Sequence, residues 1–131
     1  MRAGLDTSVV LRLLTGEPEN LAMRAWQAVQ DFRAEGGDIL VSDIVVGEAY
    51  FALHHHYDVP KEEALTQLHR FLKSGEFVAT GHAPTVLATP RLATANPGLL
   101  DRLIHAEYSE HTAEMWTFEK AASKLDRARI L

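Results

Sequence analysis

The chain contains no cysteine, which excludes disulfides, thiolate zinc sites and a cysteine nucleophile. No apolar run approaches the roughly 20 residues that a bilayer-spanning helix needs, and the start lacks the basic, apolar and small-residue regions of a signal peptide. The expectation is a soluble, cytoplasmic protein without a membrane role. Positive charge is also short: 13 Lys and Arg stand against 18 Asp and Glu, a net charge of -5. Such a chain does not grip nucleic acid by charge alone. A phosphate-bearing substrate would need local basic residues or a bound cation. No repeat, linker or compositional break divides the 131 residues, so residues 1–131 are expected to form a single domain, long enough for a real core.

What is present is an ordered series of apolar segments. Leu5 runs into Asp6-Thr7-Ser8, followed by Val9-Val10-Leu11, Leu13-Leu14 and Thr15-Gly16. This predicts a short strand ending near Leu5, Asp6 at its carboxyl end, Thr7 or Ser8 as a helix cap, and a buried helix stopped by Gly16. Glu17-Pro18 opens a second helix whose Leu21, Ala25, Val29 and Phe32 face inward. Ile39-Leu40-Val41 reads as a buried strand, and Ser42 caps a third helix reaching about Tyr57. Lys61 to Lys73 is a fourth helix, and Glu76 to Ala79 a third strand. Beyond Pro84 a short helix spans about Thr85 to Ala88, and Asn96-Pro97 reads as a cap and first-turn proline for a helix through Glu107 or Tyr108. Met115 to Phe118 reads as a fourth strand, Glu119 opens a short helix, and Ala128 to Leu131 adds an edge strand. Strands alternating with helices predict an α/β fold with parallel strands.

Four carboxylates draw attention. Asp6 lies between two segments read as buried, where a desolvated charge must find a partner or take up a proton. Glu48 sits within an apolar stripe read as Ile44, Val45, Ala49, Ala52 and Leu53. Asp101 is one turn into its helix, and Glu119 lies just past a strand, as Asp6 does. Asp6, Asp101 and Glu119 have a plainer reading as acids favourable at helix starts, and Glu48 one as a stripe-edge side chain reaching water. His54-His55-His56 does not suit a metal, because successive helical side chains point about 100° apart. In an open α/β sheet ligands collect at strand carboxyl ends, which would gather the four acids. Like charges about 4 Å apart repel by roughly 4 kcal/mol at an effective dielectric of 20. A hard divalent cation, Mg²⁺ or Mn²⁺, would resolve that conflict with oxygen ligands alone. Bound there, it would support metal-assisted phosphodiester hydrolysis.

Leu5-Asp6-Thr7-Ser8-Val9, Val46-Gly47-Glu48-Ala49, the run from Asn96 to His105 and Thr117-Phe118-Glu119-Lys120-Ala121 together resemble the PIN-domain nucleases. More narrowly, the chain resembles the VapC-type ribonuclease toxins of toxin-antitoxin pairs. The resemblance spans essentially the whole chain. It implies a three-layer α/β/α domain with a central, mainly parallel sheet, Mg²⁺- or Mn²⁺-dependent RNA cleavage, a homodimer, and neutralisation by a small antitoxin with a DNA-binding N-terminus. Asp6, Glu48 and Asp101 match the family's acidic metal-site positions, and Ser8 a position supporting the first aspartate. Glu119 matches the fourth acidic position, which is more often Asp; the extra methylene puts direct metal contact in doubt. Water would attack phosphorus in line, leaving a 5′-phosphate and a 3′-hydroxyl. Single-stranded or looped RNA is the expected substrate, and Arg12, Arg102 and Lys120 are candidate phosphate contacts.

Three rivals stand beside this reading. A phosphatase using Asp6 as nucleophile would want a second acid two residues on, where this chain has Ser8. A PIN-like module without activity would bind or dimerise only. The seven histidines would allow metal-free cleavage through a 2′,3′-cyclic phosphate.

Overall fold

Every segment read as a strand pairs, and every pairing is parallel. The computed structural model describes residues 1–131. Strand β1 (Arg2–Gly4) leads to α1 (Thr7–Thr15), α2 (Glu19–Ala34), β2 (Asp38–Val41) and α3 (Asp43–His55). Next come α4 (Lys61–Leu72), β3 (Val78–Ala79), α5 (Ala83–Leu87) and a 3₁₀ turn over Leu92–Thr94. The chain ends with α6 (Leu99–Glu110), β4 (Met115–Thr117), a 3₁₀ turn over Lys120–Lys124, and β5 (Ala128–Ile130). This is the mixed α/β class expected.

The strands form two sheets rather than one. Strand β2 lies between β1 and β3, with Ala3 opposite Ile39 and Val41 opposite Ala79, while β4 pairs only with β5. Because the three strands of the first sheet run in parallel, their carboxyl ends lie along one edge. The ladder continues past the strands, with the Leu5 amide donating to the Leu40 carbonyl at 3.0 Å and the Thr80 amide to the Val41 carbonyl at 3.0 Å. Asp6, Ser42 and Gly81 are therefore delivered to that edge.

The core is wholly apolar: no polar or charged residue is buried. Val10 of α1, Val29 of α2, Ile39 and Val41 of β2, Leu53 of α3 and Leu68 of α4 belong to one cluster. Leu53 and Leu68 are almost fully enclosed, so truncating either to Ala would cost about 2–5 kcal/mol. Phe71 of α4 stacks on Phe77 at 4.2 Å between ring centres, fixing the short segment that becomes β3.

Local details differ from the sequence reading for identifiable reasons. Asp6 itself caps α1, rather than Thr7 or Ser8, since its carboxylate accepts from the Val9 amide. Helix α2 begins after Pro18 rather than at it. Helix α6 begins at Leu99 with Gly98 as its cap, so Pro97 precedes the helix instead of occupying its first turn; Pro97 is instead enclosed in the core. On α3 the enclosed face is Val46, Ala49 and Leu53, and Ile44 is 76% exposed. The stripe was read one turn-face too far round because this helix is apolar on nearly every side. Gly16, in the left-handed region at φ 71°, ends α1 as expected, a conformation that glycine adopts at no steric cost.

Candidate active site

Asp6 stands at the edge where β1 becomes α1, exposed to solvent. Its Oδ1 accepts from the Ser8 hydroxyl at 2.6 Å and from the Val9 amide at 3.3 Å. The Ser8 hydroxyl first, and the Val9 amide second, hold the Asp6 carboxyl below the usual carboxylate range. Hydrogen bonds to the charged form favour ionisation. This corrects the argument from desolvation: the charge is stabilised by donors at a helix start, not buried and in search of a partner.

The next residue ties the strand edge to α3. The Thr7 hydroxyl donates to Glu48 Oε1 at 2.7 Å, so the first turn of α1 and the second turn of α3 meet across 41 positions of sequence. Glu48 is exposed, about 100° round α3 from the enclosed Ala49. It lies in a cavity of about 590 Å³ between α3 and α6, beside Thr7, Ile44, Phe51, Leu100 and Ile104. Helices α3 and α6 approach closely at Gly47, where an added Cβ would stand 2.6 Å from Leu100 Cδ2. Glu48 and Asp101 each adjoin this contact in sequence.

Asp101 is exposed in the first turn of α6. Glu119 caps the 3₁₀ turn, accepting from the Ala121 amide at 3.1 Å, and belongs to the separate β4–β5 sheet. The structure thus brings Asp6 and Glu48 to neighbouring places through Thr7, and does not draw the four acids into one cage: no three acidic or histidine side chains are grouped to hold a metal ion. The donor chemistry still suits a hard cation, since all four acids are exposed oxygen ligands. Mg²⁺ keeps several waters and commonly uses only one or two carboxylates with substrate phosphates, rather than an all-protein cage.

Of the cations, Arg12 lies one turn beyond Ser8 and shares a surface hollow with it. Arg102 Nε donates to the Pro97 carbonyl at 2.7 Å, which fixes the approach to α6. Lys120 is exposed beside Glu119. Two residues that sequence reasoning passed over matter here. Thr7 was read only as a cap. Asp43 accepts from the His82 and Ala83 amides, each at 2.9 Å, and so clamps the turn after β3 against the start of α3. Its signal in the sequence was faint: an acid in the first turn after the Ser42 cap.

No curated protein and no solved structure matches the chain. A family model described as the PIN domain covers residues 4–128, from the end of β1, just before Asp6, to the start of β5, beyond Glu119. The chain belongs to the PIN-domain family, whose members are usually nucleases.

Proposed function

We propose that the chain is a Mg²⁺- or Mn²⁺-dependent endoribonuclease acting as the toxin of a toxin-antitoxin pair. The observation that carries the proposal is the Asp6–Ser8 and Thr7–Glu48 pair of contacts. They hold two carboxylates from distant segments at the sheet edge where α/β folds place their ligands. Asp6 and Asp101 would hold the ion, Glu48 would bind it or orient the attacking water, and Glu119 would complete the outer ring through water. The ion's contribution is Lewis acidity toward a phosphate oxygen and a lowered water pKa. Asp6, held below the usual carboxylate range by its Ser8 and Val9 donors, would be ionised for that role at neutral pH. Glu48, aimed by Thr7, would accept a proton as water adds to phosphorus. The bond to the 3′ oxygen would break and that oxygen would take up, through solvent, the proton that Glu48 gives back, leaving a 5′-phosphate and a 3′-hydroxyl. Arg12, Arg102 and Lys120 would meet flanking phosphates.

An antitoxin would take the cavity beside Glu48. Exposed Ile44, Phe51 and Ile104 give it an apolar floor, and Asp43, Glu48 and Glu107 make its margin acidic. An amphipathic segment bearing Arg or Lys has the matching chemistry. A cytoplasmic homodimer of single-domain chains completes the reading; no helix here is long and apolar enough to cross a membrane.

A second reading is a PIN-like binding or dimerisation module without activity, favoured by the lack of a grouped acidic trio. End-labelled RNA incubated with antitoxin-free protein separates the two. The nuclease gives cleavage that EDTA stops and Mg²⁺ or Mn²⁺ restores, with 5′-phosphate ends. Cleavage indifferent to EDTA, or cyclic-phosphate ends, refutes the mechanism, and a folded chain that never cuts supports the module.

A further inference from the structure

The β4–β5 sheet carries a face that none of the chemistry above uses. Met115 points inward and Thr117 is half-buried, whereas Trp116 is 62% exposed and Phe118, two residues on, is 80% exposed. Phe118 follows directly on the last residue of β4, so the two exposed rings stand within two residues of each other at the strand's end. Arg129 lies opposite Trp116 in the parallel register, and its guanidinium sits over the indole at 5.0 Å from the ring centre. The indole nitrogen also donates to Glu114 Oε1 at 3.4 Å. The two exposed rings lie immediately before Glu119 and Lys120.

The charge distribution indicates what covers them. Residues 114–131 hold four Lys and Arg against three Asp and Glu, while the rest of the chain holds nine against fifteen. The aromatic face therefore lies in a segment with a net charge of +1, while the rest of the chain carries -6. Aromatic rings interleaved with Arg and Lys are the composition of a stacking platform for single-stranded nucleic acid, in which each base presents a π-face and the cations follow the backbone. A duplex, with its bases stacked on one another, has no free faces to offer.

We propose that Trp116 and Phe118, with Arg129 and Lys120, form a base-stacking platform that receives two splayed nucleotides of the RNA strand next to the cleavage site. The proposal rests on the ribonuclease reading and deepens it, since it names the side chains that would receive the bases of an unpaired strand. Arg129 braces one face of the indole and leaves the ring edge and opposite face to a base. Phe118 takes the neighbouring base, and Lys120 meets the intervening phosphate.

Trp116 and Trp26 are the two tryptophans, so Trp26→Phe leaves Trp116 as the sole indole reporter. An unstructured RNA oligonucleotide titrated into this protein in EDTA should quench its fluorescence saturably, and a duplex of the same sequence should not. By polarisation of a labelled strand, Trp116→Ala and Phe118→Ala should each weaken binding by roughly 5- to 150-fold, the usual range for one stacked base. In Mg²⁺-supported cleavage both should raise KM and leave kcat near wild type, with unchanged thermal unfolding. A Trp116→Ala/Phe118→Ala double variant that binds the strand as wild type overturns the platform, as does one that merely converts a dimer to monomer in sedimentation. If the wild type cuts RNA and the double variant keeps its KM, the platform fails and the nuclease stands. If Trp116 is quenched by RNA but no cleavage occurs, the nuclease fails and the platform stands. A chain that neither binds nor cuts refutes both.

Discussion

The corner where α1 meets α3 and the C-terminal β4–β5 unit both present an acid just after a strand, yet they hold it differently. At the corner, Asp6 is fastened by Ser8 and Val9, and Glu48 by Thr7. In the C-terminal unit, Glu119 reaches only the amide of Ala121, two residues away, on a two-stranded sheet. The donors to Asp6 are as local as that, two and three residues on; what sets the corner apart is the Thr7–Glu48 bond, which ties α1 to α3 across 41 positions. The C-terminal unit is held to the body by contacts such as His105 Nε2 to the Asp126 carbonyl at 2.6 Å and Lys124 Nζ to the Asn96 carbonyl at 3.2 Å. A site spread across both regions has one preorganised half and one half that substrate or metal must bring into place.

The largest effect expected from this contrast is at Asp6. Asp6→Asn should lower kcat on labelled RNA by at least about 10²–10³-fold, the scale of losing one positioned electrostatic group. Thermal unfolding should barely change, because Asn caps helices as well as Asp does. A marked loss of stability would make Asp6 structural. Glu48→Gln keeps an acceptor for Thr7 and removes the charge, so about 10–100-fold should be lost in activity or metal affinity. Glu119→Gln should lose less than Glu48→Gln under the same assay; the reverse order would erase the distinction between the two regions.

The packing of the corner is tested by stability. An added Cβ at Gly81 would collide with the Asp43 carboxylate, which holds the His82 and Ala83 amides. Gly81→Ala should therefore cost about 1–3 kcal/mol in denaturant unfolding, the worth of charge-assisted hydrogen bonds. A neutral result would show that the turn can shift without losing its clamp.

How much of this was legible in the sequence depended on whether the signal was local. The α1 stop at Gly16, the Ser42 cap and the parallel strands were readable because capping residues and apolar triplets act over a few positions. The phase of α3 was not, because Ile44, Val45, Val46 and Phe51 leave no polar face to set it. The Thr7–Glu48 contact joins residues 41 apart, and the Asp43 clamp 39 and 40 apart, and no local pattern encodes either. The acids were found, but their environment was misjudged. A strand–helix junction at a sheet edge is open to water even when both elements carry apolar runs.

The smallest effect concerns protons. The folded-state pKa of Asp6 lies below the ordinary value of 3.8, so its stabilising contribution is present above that value and is lost as pH falls through the folded pKa. Ser8→Ala removes the largest cause, and the Asp6 carboxyl should then titrate higher, toward 3.8, in a ¹³C-detected NMR titration. An unmoved midpoint would assign the shift to the Val9 amide instead.

The most direct test of the central claim, that Asp6, Glu48 and Asp101 serve one cation, is paramagnetic broadening by Mn²⁺ in the NMR spectrum of the antitoxin-free protein. Resonances of Asp6 to Ser8, Gly47-Glu48 and Leu100-Asp101 should broaden together and first, and Asp6→Asn should abolish the effect. Broadening elsewhere first, or at Asp6 without Glu48 and Asp101, would contradict the account.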